Sequence, residues 1–290
     1  MTKVSVIIPT YNRRQYIQNA IDSVLNQTYR DREIIVIDDA STDGTADWIA
    51  QTYPDIHLIR LSQNRGAAGA RNQGLSNATG EFVAFLDSDD RWSPDYLEKQ
   101  VESLQSHTNA VISVCPCLNI VDSDIQYVSE NKPWHGDRKP IRQMLVKPLI
   151  ITMSVVAIRR ATLATAGYLN ESLKIAHDRE WYLRLLYDGD LAWIPDTLVT
   201  RFVCSDGITK GYRQWAKEVF QILDIFFADE RARAYRSLES QLRSRWAINV
   251  IQALWDLKVP DLPLIASMAF TAIYFSPQVV MRGVWRRVKP

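Results

Sequence analysis

The chain has 290 residues, 47% of them hydrophobic and 23% charged, with 34 Lys and Arg against 33 Asp and Glu. That length and apolar content fill a core and exclude a disordered chain; they suit one large α/β domain with an appendage. A formal net charge of +1 leaves no electrostatic footprint for nucleic acid, so no such partner is expected.

Val4 to Ile8 is a continuous apolar run ending at Pro9, the pattern of a buried parallel strand. It is too short for a secretory leader and no small-residue cleavage site follows, so the chain is expected to be cytoplasmic. Tyr16, Ile17, Ala20, Ile21, Val24 and Leu25 recur with helical period. Glu33 to Ile37 reads as a second strand, stopped by Asp38-Asp39. A short helix is expected over 45–52, with Ser41 and Thr42 ahead of it where N-caps belong. Ile56 to Leu61 reads as a strand, Ala67 to Ser76 as a helix, and Phe82 to Leu86 as a strand after the Thr79-Gly80 turn. Ser93-Pro94-Asp95 opens a helix through Leu104, with Pro94 expected in its first turn.

Ala110 to Val114 reads as a strand, 129–149 (one Gly, three Pro) as a long surface loop, and 163–168 and 179–187 as helices. Cys115, Cys117 and Cys204 are odd in number and form no C-x-x-C pair, which fits buried reduced thiols. Residues 214–256 read as amphipathic helix, with Trp215, Val219, Phe220, Leu223, Phe226 and Phe227 on one side. Leu262 to Met281 is uncharged and is followed by Arg282, Arg286, Arg287 and Lys289. Its length reaches that of a membrane span, but Pro263, Ser267, Thr271, Ser276, Pro277 and Gln278 interrupt it. Three readings stand: an interfacial helix whose basic tail meets anionic headgroups, a core or partner-packing helix, and a span.

Strands alternating with helices predict a mostly parallel sheet covered on both faces, an α/β fold whose ligands sit at the carboxyl ends of the strands. Three polar clusters fall at such ends: Thr10-Tyr11-Asn12, Asp38-Asp39 and Asp87-Ser88-Asp89-Asp90. Two carboxylates at i and i+2, Asp87 and Asp89, supply hard oxygens for Mg²⁺ or Mn²⁺, which take further ligands from phosphate and water; the other reading is a turn before the Ser93-Pro94 helix. A carboxylate at Asp38-Asp39 can accept the imide N–H of uracil, or can close an Asx turn on Ser41 and Thr42. Tyr11 can pack on a base and Thr10 can bond its edge. Arg71 can reach a base or a diphosphate, or can be a surface arginine. Asp178, opening the helix at His177-Asp178-Arg179-Glu180-Trp181, is either a general base or a first-turn acid that favours the helix dipole.

The segments V-S-V-I-I-P-T-Y-N-R, E-I-I-V-I-D-D-A-S-T-D-G-T, N-R-G-A-A-G-A-R-N and F-V-A-F-L-D-S-D-D-R-W-S-P-D strongly resemble glycosyltransferase family 2. The resemblance covers about residues 3 to 107 and continues at R-R-A-T-L-A-T-A-G-Y-L-N-E and H-D-R-E-W-Y-L-R-L, within 159–185. It implies a GT-A-like nucleotide-binding sandwich over 1–210, with 1–107 holding a nucleotide sugar and 108–210 facing the acceptor, and a helical segment over 211–290. It implies an inverting, metal-dependent transfer of one sugar from a donor such as a UDP-sugar to a glycan or lipid-linked acceptor. Pro9, Thr10, Tyr11, Asp38, Asp39, Arg71, Asp87 and Ser88 then fall on the donor, Asp89 and Asp87 on Mn²⁺ or Mg²⁺, and Asp178 on the general base. This chain departs from the family pattern at His177, where a glutamate is usual, and at Cys204, near a usual histidine. Two other functions stay open: a nucleotide-sugar-binding protein without turnover, and a processive polysaccharide synthase. The synthase signature Q-x-x-R-W appears only as Q-L-R-S-R-W at 241–246, one residue too long.

Overall fold

The computed structural model describes residues 2–121, 124–129, 140–146, 150–203, 211–256, 261–276 and 279. They form two compact units, 1–141 with 149–204 and 142–148 with 205–290. In chain order the first unit carries β1 (Val4–Thr10), α1 (Ile17–Leu25), β2 (Arg32–Asp38), α2 (Thr45–Thr52), β3 (His57–Arg60), α3 (Gly66–Asn77), β4 (Phe82–Phe85) and β5 (Arg91–Trp92). It continues with α4 (Tyr96–Ser106), β6 (Ala110–Val114), β7 (Cys117–Val121), β8 (Asp124–Ser129), the start of α5 (Pro140–Val146), β9 (Val156–Arg159), α6 (Leu163–Ala166), α7 (His177–Leu185), β10 (Asp190–Trp193) and β11 (Val199–Val203).

Seven strands make one sheet in the order β10-β6-β9-β4-β1-β2-β3. Its pairs are parallel except those of β9, which runs antiparallel to both β4 and β6. The parallel centre is apolar on both faces: Val6, Ile7, Ile8, Ile35, Val36, Ile37, Val83 and Phe85 are all fully buried, as a sheet covered by helices requires. A second sheet runs β5-β11-β7-β8, with β11 parallel to β7 and antiparallel to β5. Helix α3 lies so close to the large sheet that a Cβ on Gly74 would stand 2.5 Å from Ile7 Cγ2.

Several expectations need correction. Part of the expected loop over 129–149 is helix α5, which buries Ile141, Met144 and Leu145; 130–139 and 147–149 lie outside the described residues, as does Cys204. Pro94 precedes α4, whose cap is Asp95. Ser41 and Thr42 do not cap α2; its cap is Gly44, and Asp43 Oδ1 accepts the Thr45 N–H. Cys115 and Cys117 are buried free thiols.

The second unit holds α8 (Tyr212–Ala228), α9 (Glu239–Asp256) and α10 (Leu262–Phe275). The helical run expected over 214–256 breaks at Asp229, whose side chain caps a 3-10 segment over Glu230–Leu238. Ala216, Val250 and Leu254 form a core against which Leu264, Ile265 and Met268 of α10 pack. The opposite face of α10 is open: Leu262, Phe270 and Tyr274 are 70%, 71% and 71% exposed. Within the uncharged run, Leu262–Phe275 is a helix of 14 residues that packs by one face, and among the described residues no helix is long and apolar enough to cross a membrane.

Candidate active site

A cleft of about 460 Å³ opens at the carboxyl ends of β1, β2 and β4. Pro9, Thr10 and Tyr11 from the end of β1, Asp39 after β2, Arg71 on α3, and Asp87, Ser88 and Asp89 after β4 all line it. Parallel strands that stop in register bring these loops together from positions up to 80 apart in sequence, the topological reason for a site here. Asp38 and Asp178 do not line the cleft.

At one end Thr10 is 3% exposed and its Oγ1 has no hydrogen-bond partner among the described residues. A buried hydroxyl without a partner is costly and suits a ligand edge. Tyr11 is 46% exposed, its ring available for stacking. Asp39 Oδ1 accepts the Arg65 N–H at 2.7 Å and Oδ2 the Gly66 N–H at 2.8 Å, which fixes the carboxylate against the start of α3 and leaves each oxygen a further lone pair. Asp38 instead accepts the Ser41 N–H at 3.0 Å, an Asx turn. Between these, Asn12 (φ 52°) and Ala40 (φ 63°) adopt left-handed backbone, which costs a non-glycine residue about 1 kcal/mol or more and tends to mark functional loops.

At the other end Asp87 Oδ1 accepts from Arg71 Nη2 at 2.5 Å and Oδ2 from Thr152 Oγ1 at 3.0 Å. Burial pushes this carboxyl up, but the Arg71 guanidinium outweighs it and holds Asp87 below the usual carboxylate range. Asp89 is raised by burial and by the Asp87 charge, with Arg13 acting the other way from 3.9 Å. Asp90, buried and accepting from Ser154 Oγ at 2.6 Å and Phe202 N at 3.2 Å, is pushed up to about 8 by burial and by Asp87. Asp87 and Asp89 at the cleft wall, with Asp90 buried behind them, fit a divalent cation, whose charge would relieve their repulsion. Among the described residues no three His, Cys, Asp or Glu converge as a metal cage, so an ion here would take its remaining ligands from phosphate and water. Sequence reading missed Arg13, Thr152 and Ser154. The partners on Asp87 from the 152–154 turn lie 65 and 67 positions away, and no local pattern marks them.

Asp178 lies in the first turn of α7. That helix is fixed by Trp181, fully buried, edge-on to Phe85 of β4 at 5.7 Å and donating Nε1–H to Gly167 O. Asp178 is half-buried and accepts the Arg179 N–H at 2.6 Å. Burial lowers Arg179 to about 9, against the pull of Asp178. Tyr182, one turn on, is fully buried, and burial first and then the Asp178 charge push its phenol well above the usual range. His177 Nε2 stands 3.0 Å from Arg71 Nη1.

Comparison with known proteins agrees with this architecture. A family model described as glycosyl transferase family 2 matches residues 5–164. TuaG of Bacillus subtilis, whose name assigns it provisionally to teichuronic acid biosynthesis, is 50% identical over 111 residues, 37% of this chain and 44% of TuaG. WfaP of Escherichia coli, named as a UDP-Glc:alpha-D-GlcNAc-diphosphoundecaprenol beta-1,3-glucosyltransferase, is 43% identical over 108 residues, 37% of this chain and 43% of WfaP. The chain therefore matches less than half the length of these two relatives. Among solved structures, S. aureus TarS 1–349 aligns with a TM-score of 0.64 at 21% identity over 99% of this chain and 92% of TarS. Its complex with UDP-GlcNAc aligns at 0.60 and 22% identity, over 98% and 92%. Identity that low speaks to the fold alone.

Proposed function

The chain belongs to glycosyltransferase family 2 and has its GT-A fold, and we propose that it moves one sugar from a UDP-sugar to an acceptor hydroxyl with inversion at the anomeric carbon. The observation that carries this reading is one cleft lined both by Thr10, Tyr11 and Asp39 and by Asp87, Ser88 and Asp89. Tyr11 stacks on the uracil, Asp39 and the buried Thr10 hydroxyl take its polar edge, and the carboxylate end receives the diphosphate. Asp89, with Asp87 behind it, would hold a Mn²⁺ or Mg²⁺ ion, which supplies charge neutralisation for the departing diphosphate. Asp178 accepts the acceptor's proton as that oxygen bonds to the anomeric carbon and the sugar–phosphate bond breaks, releasing UDP. No covalent sugar–enzyme intermediate is involved.

The names of TuaG and WfaP support a cell-surface polysaccharide as the pathway and a glycan or lipid-linked sugar as the acceptor. A lipid-linked acceptor would require work at the cytoplasmic face of a membrane, with 262–290 as the peripheral contact: an open apolar helix face followed by four cations and no acid.

Calorimetric titration of UDP tests the donor and metal assignments together. Wild type should bind UDP more tightly in Mn²⁺ than in EDTA, and Asp89→Ala should abolish that difference. Equal affinity in all four titrations contradicts the metal assignment, and no UDP binding contradicts the donor.

A further inference from the structure

His177 occupies the position where the resembled family carries a glutamate, and here the imidazole has a defined partner. It opens α7, is 6% exposed, and its Nε2 lies 3.0 Å from Arg71 Nη1. A guanidinium only donates, so a hydrogen bond here requires Nε2 to accept, with the ring proton on Nδ1. Arg71, also 6% exposed, turns its other terminal nitrogen to Asp87 Oδ1 at 2.5 Å. The chain of contacts runs from α7 through α3 to the end of β4, and Asp178 is the next residue along.

A second carboxylate on the same guanidinium would divide its charge between residues 177 and 87. With a neutral histidine, the charges of Arg71, Asp87 and residue 177 sum to zero; with glutamate they would sum to −1. Asp87 has both oxygens bound by side chains, to Arg71 and Thr152, while among the described residues the ion pair of Asp89 is with the Arg13 guanidinium at 3.9 Å, more than a third exposed on both sides.

We propose that His177 is a positioning residue: a neutral acceptor that holds the Arg71 guanidinium on Asp87, so that Asp87 is neutralised from within the protein and Asp89 is the carboxylate left to meet a divalent cation. This rests on the donor and metal reading above. It goes further in assigning the histidine a purpose: it sets how much negative charge the cation site presents.

The full chain and its His177→Gln and His177→Glu variants test this without nucleotide or acceptor. Mn²⁺ uptake is followed by water-proton relaxation, and the histidine ring by ¹⁵N NMR, with the His177→Gln spectrum identifying the signal. At neutral pH the wild-type ring should show a bare Nε2 and a protonated Nδ1, and Arg71→Met should shift that signal. Glutamine, a neutral acceptor, should leave Mn²⁺ affinity unchanged within error. Glutamate should tighten it about tenfold, the scale expected of one added charge within several ångströms in a partly screened site. A protonated Nε2, a ring signal indifferent to Arg71→Met, or a glutamate variant that binds Mn²⁺ as wild type does would each overturn the proposal. If the glutamate variant fails to fold, the ring signal and its response to Arg71→Met still decide. Failure of the donor reading would show separately, as absent UDP binding beside an intact ring signal and Mn²⁺ response.

Discussion

Asp39 and Asp178 carry different burdens at the residue scale, and their variants separate binding from turnover. Asp39 accepts two backbone N–H groups at the start of α3 and also lines the cleft. Asp39→Ala should weaken UDP binding in EDTA and in Mn²⁺ alike, because its contact is with the base, and should cost about 1 kcal/mol or more of stability through the two lost hydrogen bonds to backbone N–H groups. Calorimetry beside a thermal melt checks both; a variant that loses UDP affinity only in Mn²⁺ would reassign Asp39 to the metal end. Asp178→Asn keeps the size of the side chain and its acceptor for the Arg179 N–H but cannot take up a proton. It should bind UDP-sugar as wild type does and transfer about 10²–10⁴-fold more slowly. Transfer within a few-fold of wild type would remove Asp178 as base and leave Glu180 as the next acid on α7, although that residue is 3% exposed and salt-bridged to Arg184 at 2.6 Å. Asp87, Asp89 and Asp39 were visible as candidates in the sequence because a parallel sheet sends its ligand-facing loops to strand ends. Arg71 was visible as a donor-side candidate; its burial between Asp87 and His177 depends on α3, β4 and α7 meeting, which no spacing encodes.

At the scale of elements, close approach of α3 and the tie at the start of β2 decide whether the strand ends register. In Gly74→Ala the new methyl would meet Ile7 Cγ2 at 2.5 Å and Ile37 Cδ1 at 2.9 Å. Alanine gains about 1 kcal/mol of helix propensity, but overpacking a core this tight costs about 1–3 kcal/mol, so urea denaturation should show a net loss. A gain in stability would mean that α3 moves off the sheet freely. Glu33 accepts from Ser5 Oγ at 2.5 Å, from Thr79 N at 2.7 Å, and pairs with Lys3 at 2.8 Å, tying β2 to β1 and to the turn before β4. Burial opposes its ionisation, but these donors win and hold it at about 2 against an ordinary 4.5. The folded value lies below the unfolded one, so the stabilisation is complete above about pH 4.5 and is lost as pH falls through about 2. Glu33→Gln should cost about 1–3 kcal/mol near neutrality and flatten the acid limb of the stability curve; an unchanged acid limb would contradict this. β1 and β2, continuous apolar runs, α1, with its plain helical period, and α2 were readable within a residue or two. β9 was not: V-A-I-R is four residues with no alternation, and it enters the sheet antiparallel between β4 and β6, a placement set by tertiary packing.

At the scale of the whole molecule, the described residues offer an open face on α10 and the cleft proposed for the donor. Phe270 and Tyr274 stack on each other at 6.1 Å in solvent, with no charged side chain between Leu262 and Phe275. The full chain should co-sediment with anionic vesicles, and Phe270→Asp with Tyr274→Asp should reduce that binding roughly tenfold or more. Their thermal midpoint should hold, since both side chains are exposed. Equal partition of wild type and the double variant would place the membrane contact elsewhere. The central claim, inverting transfer from a UDP-sugar, is tested most directly by incubating the protein with a panel of α-linked UDP-sugars and Mn²⁺ and following the first-formed sugar by NMR, on water or on an added acceptor pool. UDP should be released from at least one donor, dependent on Mn²⁺, with the sugar appearing first in the β configuration. Release of the α anomer, or no release from any donor with or without metal, would contradict it.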